Sequence, residues 1–209
     1  LAFVMSWATQ LAGAQARKAK DAAALNALNV AFAGITGWHW MLPLSAYPVL
    51  SDGFGSYFSD WLAHPTYDAF WQARDVRRHL TNIKPAVLTV GGWFDAEDLY
   101  GALEVYKTVE KNNPGVSNQL VMGPWFHGGW SRSSGEGIGP VRFDAKTGEF
   151  FRTQIEFPFF AHLLKDRTDP KLPEAYAFDT GRNEWRTFDA WPPRSAAARS
   201  LYLQAGGGL

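Results

Sequence analysis

The sequence contains no cysteine and carries no net charge. Without cysteine there can be no disulfide framework, no zinc site built on thiolates and no cysteine nucleophile. Twenty Lys and Arg residues balance twenty Asp and Glu residues, so no charge excess favours nucleic acid or a membrane surface as a partner. These absences leave the cellular compartment open.

Long apolar runs are also missing. The opening segment LAFVMSWATQLAGA is too short to span a membrane and lacks the basic stretch with which a signal peptide begins. We interpret it as a helix without its beginning. The sequence stops at LYLQAGGGL, directly after a strand-like SLYL. Both ends therefore predict an internal piece of a longer protein.

Aromatic side chains are abundant instead, with ten Trp and fifteen Phe, which predicts a large aromatic core or an aromatic-lined pocket. Residues 1–33 are rich in Ala, Leu and Asn and favour helix. Residues 34–62 alternate Gly and Pro breaks with aromatics, as in a cap of short helices and loops. A further helix is predicted across HPTYDAFWQARDVRRHL, beginning after Pro65.

From Pro85 onward the residue pattern predicts a strand, a helix, a second strand and a second helix in turn. AVLTVGGW and QLVMGPW are apolar runs of the kind found in buried parallel strands. Four apolar residues at helical spacing form a stripe between them: Leu99, Leu103, Tyr106 and Val109. Residues 149–166 predict a second amphipathic helix, bent or begun afresh at Pro158. The alternation predicts an α/β fold around a parallel sheet.

The residue pattern changes again from about residue 171. EAYAFDTGRNEWRTFDAWPP and RSLYL contain short strands separated by turn sequences, which is typical of antiparallel β structure. We expect these strands to pack away from the main sheet and to open a second, β-sandwich-like domain.

Two polar residues follow the two predicted parallel strands. Asp95 comes after AVLTVGGWF, and His127 comes after QLVMGPWF. Ligands of open parallel sheets lie beyond the carboxyl ends of the strands, so both side chains are expected at one edge. Asp followed by His, with one helix between them, is the order of the last two triad members in α/β-hydrolases. There the carboxylate orients the imidazole, which takes a proton from a serine.

Simpler explanations exist for each residue alone. Asp95 fits an N-cap of the following helix, with Asp98 completing a box-like pair. His127 fits a hydrogen-bonded loop histidine in an unrelated α/β domain. The distance between the two side chains decides between these interpretations.

The nucleophile is the missing part of the hypothesis. An α/β-hydrolase carries its serine in a Gly-x-Ser-x-Gly turn upstream of the acid and the histidine, and the sequence has no such motif. Ser56 in GFGSYF has different glycine spacing and no apolar strand before it, and WSRSSGEG follows the histidine. A hydrolase therefore requires a nucleophile that precedes Leu1.

The segments GGWFDAEDLYGAL and LVMGPWFHGGW resemble the acid and histidine motifs of the CocE/NonD hydrolases. This group includes the X-Pro dipeptidyl-peptidase S15 family, cocaine esterase, α-amino-acid ester hydrolases and glutaryl-7-aminocephalosporanic-acid acylases. The resemblance covers most of the chain: HPTYDAFWQAR is similar to the end of the family's cap, FFRTQIEFPFFAHLLKD to the exit from its catalytic domain, and TGRNEWRTFDAWPP to the start of its jelly roll.

The resemblance implies a Ser-His-Asp acyl hydrolase with a helical cap over 1–80, the C-terminal part of the α/β-hydrolase core over 81–168 and the start of a β-jelly-roll domain over 169–209. Asp95 would orient His127, the general base. Asp68 falls near a position where the α-amino-ester hydrolases bind a substrate ammonium group, although a solvated or capping carboxylate is the favoured explanation. Family members with this layout are often periplasmic or secreted.

Other groups of polar residues are weaker candidates for a functional site. His64 and Asp68 have the spacing of two metal ligands on a helix but lack a third. His39 and His162 are predicted to have structural roles. Glu97 and Asp98 are expected in the first helical turn, where they favour the dipole, and Glu97 is a second choice for the acid.

The sequence therefore predicts a fragment of a serine hydrolase that cleaves an ester, an amide or a short peptide and needs no metal or organic cofactor. A homo-oligomeric full-length form stays open. The alternative is a non-catalytic binding protein that keeps the fold and uses the aromatic cap and the β-sandwich. An upstream nucleophile turn distinguishes the two.

Overall fold

The computed structural model describes residues 14, 17–23, 26, 60, 61, 63–200 and 202. The chain divides into two compact units, Leu1–Asp75 and Val76–Leu209. Most of the helices and loops predicted over 1–62 lie outside the described residues, as do His39, Ser56 and most of the terminal LYLQAGGGL.

The helix predicted across HPTYDAFWQARDVRRHL is divided. In the first unit, α1 comprises Ala69–Gln72, and Asp68 caps its N-terminus by accepting the Phe70 N–H at 3.0 Å. The helix ends because the Arg74 N–H bonds a carbonyl three residues back, which tightens the last turn. The second unit begins with a 3₁₀ turn at Val76–His79. The prediction of one helix across this segment is therefore wrong.

The second unit is built on a four-stranded sheet. β1 (Val87–Gly92) and β2 (Asn118–Gly123) are parallel and in register from the first residue to the last. α2 (Leu99–Asn112) connects them, as the alternation of the sequence predicts. The α/β fold and both parallel strands are confirmed.

Two helical segments follow β2. The first is a short helix, α3 (Gly129–Arg132), and the second is continuous but changes its winding along its length. α4 (Thr147–Phe150) then runs into a π-helical stretch, Phe151–Glu156, and into α5, Phe157–Lys165. Pro158, which lacks an N–H, lies in the first turn of α5, directly after the π-helical stretch. The sequence predicts a helix bent or begun afresh at Pro158, and α5 begins one residue earlier, at Phe157.

The strands predicted after residue 171 do not pack away from the main sheet. β5 (Ala175–Asp179) pairs in parallel with β2, and β6 (Glu184–Phe188) pairs antiparallel with β5. Ala175 and Ala177 are both buried, as expected for a strand inside the sheet. The antiparallel pairing is confirmed, but the separation of residues 175–188 into another domain is wrong. The boundary proposed at 169 otherwise stays a prediction.

The sheet has an apolar core on each face. Successive residues of a strand point to opposite faces, and β2 follows this rule. Leu120 and Met122 pack with Tyr106 of α2, whereas Val121 packs with Phe151 of the π-helical stretch. Because both faces of β2 are buried, its residues 120–122 are all apolar and do not alternate with polar residues.

A small hairpin projects between α3 and α4. β3 (Gly137–Ile138) and β4 (Val141–Arg142) form its two antiparallel strands. None of the helices in the described part of the chain is long and apolar enough to cross a membrane.

Candidate active site

The loops that follow β1 and β2 are joined to each other directly. Beyond the strand ends, the Trp93 N–H donates to the carbonyl of Gly123 at 2.8 Å, and the Phe94 N–H donates to that of Trp125 at 3.1 Å. A Cβ atom on Gly92 would lie 2.2 Å from the Trp125 carbonyl oxygen, so this close approach requires glycine. The segments carrying the predicted acid and histidine are thereby held side by side.

Asp95 lies in the first of these loops with its side chain fully buried. Its Oδ1 accepts the N–H groups of Glu97 at 2.8 Å and of Asp98 at 3.0 Å. Its Oδ2 lies 3.0 Å from Nδ1 of His127. The two oxygens thus have separate partners, the backbone on one side and the imidazole on the other.

The electrostatics of Asp95 favour its ionised form. Burial raises the pKa of this carboxyl group, but the two backbone N–H donors and His127 together outweigh burial and hold the pKa below its ordinary value. Asp95 is therefore an anion at neutral pH despite its burial. A buried anion directed at Nδ1 favours the tautomer in which Nδ1 carries the proton and Nε2 is left for chemistry.

His127 presents its outer nitrogen away from Asp95. The side chain is 45% exposed, and its Nε2 lies 3.3 Å from Oε2 of Glu97. The His127 and Trp130 rings form a T-shaped pair with a centroid separation of 6.2 Å. Gly128 follows with φ of +71°, a left-handed conformation that favours glycine and turns the chain into α3. His127 therefore has its inner nitrogen against buried Asp95 and its outer nitrogen beside partly exposed Glu97.

Two arginines hold the histidine loop through its carbonyl groups. Arg132 donates to the carbonyls of His127 and Gly128. Arg152, at the start of the π-helical stretch, donates to the carbonyl of Trp130 at 2.6 Å and to that of Ser133 at 2.9 Å. The loop is thus tied to the helical segment behind it. Backbone carbonyl contacts of this kind have no motif in the sequence, which explains why the arginines were not predicted.

The capping explanation for Asp95 needs correction. α2 begins at Leu99, its N-cap is Asp98, and Asp98 makes no side-chain capping bond. Asp95 lies in the turn before the helix, where it accepts two backbone N–H groups and also contacts the histidine. Glu97 and Asp98 likewise precede the helix and do not form its first turn.

Asp68 lies in the first unit and has two local partners. Its Oδ1 accepts the Phe70 N–H, and its Oδ2 lies 2.6 Å from Nδ1 of His64. The hydrogen bond from His64 lowers the pKa of Asp68. These contacts account for the carboxylate as a helix cap, whereas its predicted role toward a substrate ammonium group stays untested. The described residues contain no group of three or more His, Cys, Asp or Glu side chains that could hold a metal ion.

The comparisons with known proteins agree with the two motifs. The family model of the X-Pro dipeptidyl-peptidase (S15) family matches residues 1–129, which include both Asp95 and His127. Cocaine esterase from Rhodococcus sp. (strain MB1 Bresler) is 25% identical over 190 residues, covering 90% of this chain and 32% of the esterase.

Two solved structures resemble the chain in fold and sequence. An aminopeptidase from a marine sediment archaeon, Thaumarchaeota archaeon, is 34% identical with a TM-score of 0.70, covering 78% of this chain and 27% of the aminopeptidase. An α-amino acid ester hydrolase is 33% identical with a TM-score of 0.63, covering 72% of this chain and 26% of the hydrolase.

The chain spans about a third of the length of the esterase and about a quarter of each solved structure. The family match nevertheless extends over more than half of the 209 residues and contains the predicted acid and histidine. The resemblance seen in the sequence is confirmed: the chain belongs to the X-Pro dipeptidyl-peptidase (S15) family, within the wider CocE/NonD group.

Proposed function

We propose that this chain carries the acid and the base of a Ser-His-Asp acyl hydrolase, and that the serine is supplied by sequence preceding Leu1. The observation that carries the proposal is the 3.0 Å contact between buried Asp95 and Nδ1 of His127. A carboxylate at this position fixes the orientation and tautomer of the imidazole and stabilises the imidazolium that forms during catalysis.

Acylation begins when the serine hydroxyl attacks the carbonyl carbon of an ester or amide. Nε2 of His127 takes the hydroxyl proton as the new carbon–oxygen bond forms. The imidazolium then gives the same proton to the leaving oxygen or nitrogen as the scissile bond breaks. Asp95 stays ionised throughout, because its two backbone donors stabilise the anion independently of the ring.

Deacylation repeats these proton transfers with water as the nucleophile. His127 takes a proton from water, the hydroxide attacks the acyl-serine, and the imidazolium returns the proton to the serine oxygen. The outer nitrogen must reach both the serine and the water. The His127 side chain is partly exposed and Asp95 contacts only the inner nitrogen, which supports this role; Glu97 lies 3.3 Å from the outer nitrogen.

The proposed substrates are small esters, amides or short peptides. Support comes from the relatives, which are named as an esterase, an amino acid ester hydrolase and an aminopeptidase. The three names share cleavage of a bond to an acyl carbon. The chemistry of Asp95 and His127 suits such a bond with either oxygen or nitrogen as the leaving atom.

Replacing His127 tests the proposal in the full-length protein. His127→Ala removes the group that accepts the serine proton, so turnover of an activated ester is expected to fall on the order of 10⁶-fold. His162→Ala is the matched control, because His162 lies on α5 and its Nδ1 contacts the carbonyl of Arg167 at 2.8 Å. Initial rates and circular dichroism spectra of both variants give the result.

Retention of turnover in a folded His127→Ala variant contradicts the proposed role of the histidine. An equal loss in both variants points to damage to the fold. A wild-type protein that binds esters without cleaving them favours the non-catalytic alternative.

A further inference from the structure

A guanidinium group lies against the loop that carries the proposed base. Arg152 donates through Nη1 to the carbonyl of Trp130 at 2.6 Å and to that of Ser133 at 2.9 Å. The two acceptors lie in α3 and at its C-cap, just after His127 in the chain. The last carbonyls of a helix have no partner within it, so a cation from another segment stabilises this end.

The contact made by Arg152 joins segments that are remote in sequence. Arg132 also donates to carbonyls of this loop, but it belongs to α3 itself and is exposed. Arg152 is partly buried and comes from the π-helical stretch, in which Phe151 and Ile155 are core residues. A packed helix therefore holds the guanidinium, and the guanidinium holds the loop.

Trp130 connects this anchor to the histidine. Its ring forms the T-shaped pair with His127 and also contacts Trp125, with a centroid separation of 6.2 Å in each case. Fixing the carbonyl of Trp130 fixes the backbone from which its ring projects. A path of packed groups thus runs from Arg152 through Trp130 to the imidazole.

The proposed proton transfers depend on where Nε2 of His127 lies. This nitrogen must come within hydrogen-bond distance of the serine hydroxyl and then of the leaving atom. A hydrogen bond from Asp95 at Nδ1 lets the ring pivot about that contact, and the neighbouring Trp130 ring limits the pivot. A misplacement of about 1 Å at reacting groups can lower a rate about 100-fold.

We propose that Arg152 is a positioning residue for the reaction, which holds His127 in the orientation for proton transfer by fixing Trp130. The inference rests on the proposed function, because it requires His127 to be the base. A residue with this role acts on the geometry of the base, so its loss lowers turnover and leaves substrate binding unchanged.

The test measures kcat and KM for hydrolysis of an activated ester by the full-length protein. Arg152→Gln removes the charge and shortens the side chain, so kcat is expected to fall about 100-fold with KM within about twofold of the wild type. Arg152→Lys keeps a cation but not the planar fork of donors, so its kcat should lie only about tenfold below the wild type. Circular dichroism spectra and melting temperatures show whether each variant is folded.

Arg142→Gln is the matched control. Arg142 donates to the carbonyls of Gly139 and Val141, at 2.9 Å and 3.4 Å, within the hairpin formed by β3 and β4. The same substitution there removes contacts of the same kind from a different segment. Both kcat and KM should stay close to their wild-type values.

A double-mutant cycle tests the path through Trp130. Trp130→Leu removes the aromatic ring but keeps an apolar side chain and the carbonyl that accepts from Arg152. If Arg152 acts through this ring, Arg152→Gln should lower kcat by no more than about threefold in the Trp130→Leu background.

The outcomes separate the two proposals. Wild-type kcat in a folded Arg152→Gln variant overturns the positioning role and leaves the proposed hydrolase intact. The role is also overturned by an equal loss in Arg142→Gln, by a raised KM with kcat preserved, or by the full loss of kcat in the Trp130→Leu background. Should Arg152→Gln fail to fold, wild-type kcat in Arg152→Lys overturns the role instead. If the folded wild type cleaves no ester, the proposed function fails and the inference fails with it.

Discussion

Asp95 uses its two carboxylate oxygens for different tasks. One accepts the backbone N–H groups of Glu97 and Asp98, and the other contacts His127. The backbone contacts are of the kind that a carboxylate makes in a tight turn. Burying a charged carboxylate costs free energy unless it is paired, and here the imidazole is its partner. A structural role and a catalytic role are thus combined in one side chain, and a conservative substitution can separate them.

Asp95→Asn is expected to preserve the fold and abolish most of the activity of the full-length enzyme. An asparagine oxygen still accepts the backbone N–H groups, so the melting temperature should change by only a few degrees. Its amide nitrogen donates toward Nδ1 and selects the wrong imidazole tautomer, which should lower turnover about 10⁴-fold. Thermal unfolding and ester hydrolysis on one preparation test both parts. Near-normal turnover would identify Asp95 as a turn residue only.

Sequence reasoning found this pair but could not choose between its explanations. A carboxylate after a strand fits both a turn and a triad, because the same backbone donors are available in each case. The deciding distance depends on the register of β1 against β2, a contact between segments remote in sequence. Glu97 was weighed only as a second choice for the acid, since nothing in DAED shows that its side chain faces the other ring nitrogen.

At the scale of elements, α2 is tied to the start of β5 by a carboxyl group. The Tyr106 hydroxyl donates to Oε1 of Glu174 at 2.6 Å. Burial raises the pKa of Glu174, and the neighbouring Glu110 raises it further, against the opposing effect of the Tyr106 hydrogen bond. Burial and Glu174 also raise the pKa of Tyr106, so the phenol stays protonated as a donor.

The raised pKa predicts a stability that declines as pH increases. A carboxyl group whose folded-state pKa exceeds its unfolded value stabilises the protein at pH values below the unfolded value. This contribution is lost as pH rises through the folded value. Glu174→Gln should therefore reduce the difference in stability between pH 4 and pH 7, as measured by urea unfolding. Glu184→Gln, on the exposed face of β6, is the control that should leave the difference unchanged.

The elements themselves show what the sequence could predict. β1, β2 and α2 follow from local apolar patterns, and all three are present. The placement of β5 does not follow from its own sequence, because AYAF is compatible with a strand in either of two sheets. Its position depends on the edge of β2, whose backbone groups pair with those of β5, a contact between segments remote in sequence.

At the scale of the whole molecule, β1 is the terminal strand of the described sheet. Its residues VLTVGG include no charged residue and no proline, unlike the strands that usually protect a sheet edge. An uncharged edge strand of this kind readily pairs with another strand. We therefore expect further strands of the full-length protein to pair with the free edge of β1.

Hydrogen exchange tests this expectation. The 209-residue chain is compared with the full-length protein, and the protection of the amides of β1 is measured in each. Those amides that point away from β2 should exchange at least tenfold more slowly in the full-length protein, because they gain strand partners. The amides of β2, which lies between two strands here, serve as the internal reference. Equal exchange at β1 in both proteins would show that the edge has no further partner.

The π-helical stretch Phe151–Glu156 bears on how relatives should be aligned. Each π turn contains more residues than an α turn. A relative with one residue fewer between Thr147 and Phe157 can keep the same buried positions with an uninterrupted α-helix. A gap at this point in an alignment would then record an ancestral insertion absorbed by a change of winding, with Arg152 still directed at the histidine loop.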